Sequence, residues 1–296
     1  MGLIRRWFDE WWVEPSHSQQ LAPARRTPTE HLYAPALGGK AHLYLHIINE
    51  IRHACALANS FFIHLLGTFA PNAMTVAECL NEVRTTIPQG VTLVAVSKTH
   101  PVERLMEAYE AGQRIFGENR VQELAAKAPQ MPPDVEWHLI GHLQRNKVRQ
   151  VLPLVRMIHS VDSLRLLETI AEEASRLGRT VDCLLEVHIA RESTKTGFSP
   201  EEVQDVMSQL RPEAYPHVRF RGLMGMASFT DDEATVQAEF RSLRQLFDRL
   251  RDEHGPALGG IFDTLSMGMS GDYLTAIACS STMVRVGSAI FGRRDR

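Results

Sequence analysis

Lysine is scarce in this chain: Lys40, Lys98, Lys127, Lys147 and Lys195 are its only representatives in 296 residues, and arginine carries the remaining positive charge. An excess of positive charge is also missing, since the formal net charge is -3. Without a basic footprint the chain is not expected to bind nucleic acid. Cysteine is sparse too. Cys55, Cys79, Cys183 and Cys279 are widely scattered with no C-x-x-C pair, which suggests neither a zinc site nor a disulfide framework. They read as small apolar residues of a protein in a reducing cytoplasm. Nor is there a clean long apolar run. The best stretch, Ala54–Ala73, is interrupted by Asn59, Ser60 and His64, so no membrane span is expected. It also begins over fifty residues from the start, too far for a secretory signal. What remains, 44% hydrophobic and 23% charged residues, is the composition of a soluble globular protein able to bury a sizeable core in one or two domains.

Residues 1–73 differ from the rest. Trp7, Trp11 and Trp12 crowd the start, with only Trp137 afterwards, and six of the thirteen histidines lie here. His42 and His46 are spaced for one helix face, but no carboxylate or cysteine completes a metal-binding set. Residues 16–40 are rich in Pro, Ala, Gly and Arg without a sustained period, and read as loop or disorder. A regular pattern starts at Thr75, directly after Met74. The expectation is therefore an N-terminal extension over 1–73, with Met74 as the natural start, and one domain over 74–296.

From Met74 onward, short apolar runs alternate with amphipathic ones. The strand-like runs are Val91–Ser97, Arg114–Glu118, Glu136–Gly141, Met157–Asp162, Asp182–Ile189, Phe220–Ala227, Phe262–Gly268 and Met283–Phe291. Helical patterns between them include Pro101–Ala111, Ser163–Leu177 and Ala234–Arg251; in the last, Phe240, Leu243, Phe247 and Leu250 recur at three and four residues. Eight such alternations imply parallel strands joined by crossover helices. A closed (β/α)8 TIM barrel accommodates them most economically, with a doubly wound open sheet as the runner-up.

A barrel places its chemistry at the carboxyl ends of the strands. Lys98 ends the run Val91–Ser97. On that fragment alone, a strand-end lysine reaching solvent and an amine kept for Schiff-base formation fit equally well. Phosphate is often held after strands 7 and 8. There the sequence has Leu265 through Asp272, with Ser270 as the expected helix N-cap, and Val284 through Ser288, with Gly287 for close backbone approach. A strand-end lysine facing a phosphate cradle suits an aldehyde that carries a phosphate, and pyridoxal 5′-phosphate is both.

Several segments carry a resemblance. They are Ala95-Val96-Ser97-Lys98, Phe116-Gly117-Glu118-Asn119-Arg120-Val121-Gln122-Glu123, and Trp137 through Lys147. Further along come Ser193 through Phe198, Gly222-Leu223-Met224, Leu265 through Ser270, and Ser281 through Gly287 with Phe291-Gly292. With them the chain resembles the pyridoxal phosphate homeostasis protein family, whose fold is that of the barrel domain of alanine racemase. Residues 1–73 have no counterpart in that resemblance.

The resemblance implies that Lys98 forms the internal aldimine and that Ser266, Ser270, Gly287 and Ser288 surround the phosphate. Arg285 would face the pyridine nitrogen, keep it unprotonated and restrain carbanion chemistry, and Asn119 would sit near the cofactor. Lys147 and Lys195 fall in loops after the third and fifth strands; the resemblance puts them near the mouth, where they would help deliver or release cofactor, but a solvated loop lysine is the preferred reading of each. His138 is expected to be a core histidine, and His188 stands where a smaller amide is expected. Two functions follow: a carrier that holds the cofactor and delivers it to apo-enzymes without efficient turnover, or a small amino-acid racemase. Racemisation needs a base on each face. Tyr273 is the nearest candidate for the second, and the further domain of alanine racemases is expected to be absent because the chain ends at Arg296. The carrier, acting as a monomer in the cytoplasm, is the preferred reading.

Overall fold

The computed structural model describes residues 74–190 and 196–292. The extension expected over 1–73, with its His42/His46 pair and the apolar stretch Ala54–Ala73, lies outside the described residues, as does Lys195.

Eight parallel strands close on themselves in chain order: β1 (Thr92–Val96), β2 (Ile115–Glu118), β3 (Glu136–Leu139), β4 (Met157–Val161), β5 (Val181–Val187), β6 (Val218–Gly225), β7 (Thr264–Met269) and β8 (Met283–Val286). Closure is made by β1 against β8, with Thr92 opposite Met283 and Ala95 opposite Val286. A parallel sheet buries both faces, and joining its ends removes the unpaired edges that an open sheet would expose. All eight expected strands are present, and the open-sheet alternative falls.

The helices are α1 (Val76–Thr85), α2 (Val102–Glu110), α3 (Val121–Lys127), α4 (Val148–Val151), α5 (Leu164–Leu177), α6 (Pro200–Gln209), α7 (Glu233–His254), α8 (Tyr273–Ala278) and α9 (Ser288–Phe291). Their ends follow local chemistry. Thr75 and Glu78 form a capping box that starts α1, and Ser199 with Glu202 forms another at α6, where Pro200 occupies the first turn. α5 runs from Ser163, whose side chain caps the first turn, to Gly178 in the left-handed region. On α7, Phe240, Leu243, Phe247 and Leu250 form the buried face read from the sequence. No helix among the described residues is long and apolar enough to cross a membrane.

Alternation along the strands sorts the core into two parts. Ala95, Leu185, Leu223 and Val284 point outward and join the large cluster under the helices. Their neighbours Val94, Leu184, Met224 and Met283 point inward and, with Met157, make a small cluster inside the barrel. This inner plug is apolar and closes the lower half. Above it the inward positions become polar, and the site begins there.

β8 is shorter than the run Met283–Phe291 suggested. Gly287 leaves the extended region, at φ -123 and ψ -71, and Ser288–Phe291 turn into α9. The apolar side chains of Ile290 and Phe291, which gave the run its strand character, are buried from a helix instead.

Candidate functional site

Period two along β1 sets the first wall. Val94 belongs to the inner plug, while Val96 and Lys98 line the cavity above it. Ser97, between them, faces outward and is fully buried. Thr99 then adopts φ 67, a left-handed conformation that strains a β-branched residue by about 1–3 kcal/mol. That turn redirects the chain toward α2 at Pro101.

The cavity at the strands' carboxyl ends has a volume of about 410 Å³. Lys98, Asn119, Ser270, Arg285, Gly287 and Ser288 all line it, although they come from β1, β2, β7 and β8 or the turns after them. Ser266 does not line it. Its hydroxyl is fully buried one layer lower, in the barrel interior.

That layer is a chain of hydrogen bonds. Arg285 Nη1 donates to Ser266 O at 2.9 Å and to Ser266 Oγ at 2.7 Å, and Nη2 donates to Gly225 O at 3.2 Å. Ser266 Oγ lies 3.1 Å from His159 Nδ1, and His159 Nε2 lies 3.0 Å from His138 Nδ1. A guanidinium can only donate. Ser266 Oγ therefore accepts from Arg285, and with a second lone pair and its own hydrogen left it can pair with either tautomer of His159. Burial holds both rings neutral: His138 is pushed down to about 3, with Arg156 adding to the effect, and His159 falls well below the usual histidine range. Burial also lowers Arg285, to about 10, which leaves it cationic at neutral pH. His138 is thus the core histidine anticipated from its place in β3.

The second wall is made by the ends of β7 and β8. Register slips between Ser266 and Met269, a bulge that lets the loop after β7 lean toward β8. There Ser270 Oγ accepts from Gly287 N at 3.0 Å, so it is not the N-cap expected from the sequence. Asp272 takes that place before α8, its Oδ1 accepting from Met269 N at 2.5 Å. The carboxylate reaches the free N–H of the loop, and the shorter serine is left to bridge to the neighbouring turn. A Cβ on Gly287 would sit 2.9 Å from Val96 O, so only glycine lets β8 pass this close to β1. The first N–H groups of α9 follow at once, and a helix start gives such groups no intrahelical acceptor.

Other residues singled out by sequence lie elsewhere. Lys147 ends a 3-10 turn after β3 and does not line the cavity. His188 follows β5, its backbone N–H bonded to Phe198 O at 2.8 Å. The Tyr273 hydroxyl sits 2.9 Å from Thr86 Oγ1, on the α1 side and away from the cavity. Asn119 Oδ1 is buried and has no hydrogen-bond partner. Sequence reading overlooked His159, although its place two residues after the inward Met157 already put it inside the barrel. It also passed over Lys127 and Glu118, a buried pair behind β1 with Nζ to Oε1 at 2.7 Å.

Residues 73–295 match the family described as alanine racemase, N-terminal domain. The pyridoxal phosphate homeostasis protein of Pasteurella multocida is 40% identical over 209 residues, 70% of this chain and 88% of that protein. Its namesake in Schizosaccharomyces pombe is 39% identical over 228 residues, 74% of this chain and 93% of its own length. Among solved structures, Synechococcus elongatus PipY with PLP bound is 39% identical with a TM-score of 0.67, covering 74% of this chain and 100% of that one. Alanine racemase of Clostridium difficile, 15% identical with a TM-score of 0.61, shares the fold over 75% of this chain and 57% of its own. By sequence and by fold, the chain belongs to the pyridoxal phosphate homeostasis protein family, built on the barrel of the alanine racemase N-terminal domain.

Proposed function

We propose that this chain binds pyridoxal 5′-phosphate in the cavity at the top of the barrel, holds it on Lys98 and hands it on without efficient turnover. The observation that carries this reading is the convergence of Lys98, Asn119, Ser270, Arg285, Gly287 and Ser288 on one cavity of about 410 Å³. A single lysine, a cation and a turn of small residues match an aldehyde, a ring nitrogen and a phosphate.

The residues present suit that ligand. Asn119 Oδ1, buried without a partner, is an acceptor waiting for a ligand donor such as a ring hydroxyl. Ser270, Ser288 and the start of α9 offer hydroxyl and N–H donors at the turn where Gly287 lets β8 lie close against β1. When bound, the cofactor supplies an electrophilic aldehyde and a ring that can delocalise electrons. Lys98, which lines the cavity, would hold the group there through its amine, a nucleophile suited to an aldehyde. Arg285, bonded to Ser266 and unable to give up its charge at neutral pH, offers no acceptor to a protonated ring nitrogen and so weakens the ring as an electron sink. The Tyr273 hydroxyl, engaged with Thr86, leaves the cavity without that tyrosine as a base. Both features favour holding the cofactor over racemising amino acids. In this reading the protein acts as a monomer in the cytoplasm and delivers cofactor to apo-enzymes, one form that the homeostasis in its relatives' name would take.

One experiment tests it. Purified protein with pyridoxal phosphate should show the absorbance band of a lysine Schiff base, and Lys98→Ala should lose it. The same wild-type sample should turn over neither alanine nor serine efficiently. A band retained in Lys98→Ala would move the attachment to another lysine, and rapid racemisation would overturn the carrier.

A further inference from the structure

Behind β1, on the opposite side from the cavity, three charged side chains gather, and two of them, Lys127 and Glu123, meet the backbone on the two flanks of Lys98. Lys127, at the end of α3, is only 8% exposed, and Glu118, at the end of β2, is fully buried. Lys127 Nζ donates to Ser97 O at 2.9 Å and to Glu118 Oε1 at 2.7 Å, and reaches Glu123 Oε2 at 3.5 Å. Ser97 Oγ donates to the same Glu118 Oε1 at 2.7 Å. Thr99 N donates to Glu123 Oε2 at 2.8 Å.

The pattern has a simple geometric meaning. Ser97 O belongs to the peptide plane that precedes Lys98, and Thr99 N belongs to the plane that follows it. The first plane is gripped by an ammonium and the second by a carboxylate. Those two planes define φ and ψ at Lys98, and therefore the direction in which its side chain leaves the backbone. Thr99 stays at φ 67, a conformation its branched side chain disfavours, while Glu123 holds its N–H.

Stability alone accounts poorly for such a group. Buried ion pairs are often no better for folding than apolar residues of the same shape, and this one leaves Glu118 Oε2 buried with no partner. Burial raises the Glu118 carboxyl, and its contacts to Lys127 and Ser97 work against that rise. Lys127 Nζ and Glu123 Oε2 each contact a peptide plane bounding Lys98.

We propose that Lys127 is a positioning residue for Lys98, acting with Glu118 and Glu123 as a clamp that aims the Lys98 amine into the cavity. This rests on the reading that Lys98 is the attachment point of pyridoxal phosphate. The clamp touches neither the cavity nor the ligand; it acts by holding the reacting amine where the aldehyde arrives.

Two ligands separate positioning from general support of the fold. Pyridoxal 5′-phosphate can react with Lys98, whereas pyridoxine 5′-phosphate has an alcohol in place of the aldehyde and binds only through ring and phosphate. The affinity of the full-length protein for each is measured in wild type, Lys127→Met and Lys98→Ala, with circular dichroism to check folding. Lys127→Met should weaken pyridoxal phosphate tenfold or more and leave pyridoxine phosphate within twofold. An unchanged ratio of the two affinities, whether both fall together or neither moves, overturns the proposal. Lys98→Ala should bind the two ligands with similar affinity; if it instead keeps the wild-type preference for the aldehyde, the attachment reading fails and not the clamp. Should Lys127→Met not fold, Glu123→Ala releases Thr99 N from a partly exposed position and is judged by the same ratio.

Discussion

At Gly287 the chain tolerates no more than a hydrogen on Cα, because Val96 O stands 2.9 Å from where a Cβ would be. Gly287→Ala is expected to destabilise the protein by about 1–3 kcal/mol through overpacking. It should also weaken pyridoxal phosphate binding, since the turn that carries Ser288 must move. Urea unfolding and a cofactor titration check the two effects separately. Residues such as Gly287, Lys98 and Arg285 were legible because their chemistry is unusual for a strand end. Lys127 was not. It shares the buried face of α3 with Val121 and Leu124, but a lysine at a helix end reads as solvated, and only the fold reveals the carboxylate that receives it. Ser266 was legible as a strand residue and misjudged by one layer, since strand 7 slips in register just beyond it.

At the scale of the elements, β3, β4, β7 and β8 together enclose the polar layer under the cavity, and that layer has a pH signature. His138 and His159 are neutral in the fold but take up protons when unfolded. Each therefore costs stability as pH falls below the ordinary histidine value of 6.5, by about 1.4 kcal/mol per pH unit. For His138 this continues down to about 3. Glu118 and Glu186 act the other way. Burial raises both carboxyls, so their contribution is present at low pH and lost as pH rises through the raised values. A difference between proteins cancels the carboxylates. His159→Gln, whose amide can still bond within the layer, should show a slope of unfolding free energy between pH 6 and 4.5 shallower by about 1.4 kcal/mol per unit. Equal slopes would mean that His159 is protonated in the fold. Sequence periodicity placed all eight strands but overran the last, because buried apolar residues at Ile290 and Phe291 look alike in a strand and a short helix.

For the molecule as a whole, the described barrel starts at its first capping box. Thr75 and Glu78 start α1, and α1 packs against α9 just after β8, so the two ends of the described barrel support each other. The family match begins at residue 73. A chain beginning at Met74 is therefore expected to fold and to bind pyridoxal phosphate as tightly as the full chain, which a direct comparison of the two affinities would check. The alternation of apolar runs made this architecture readable because parallel barrels repeat one local pattern eight times. It could not show that the loops after β7 and β8 are latched to each other through Ser270 Oγ and Gly287 N. That latch has a consequence for handling a reactive vitamer. A receptacle already joined across its rim loses little conformational freedom on loading, so its ordering entropy is met during folding. With attachment at Lys98 as proposed, one carbon–nitrogen bond would add to the contacts of ring and phosphate, and its hydrolysis by a single water molecule would be the step at which the cargo is let go.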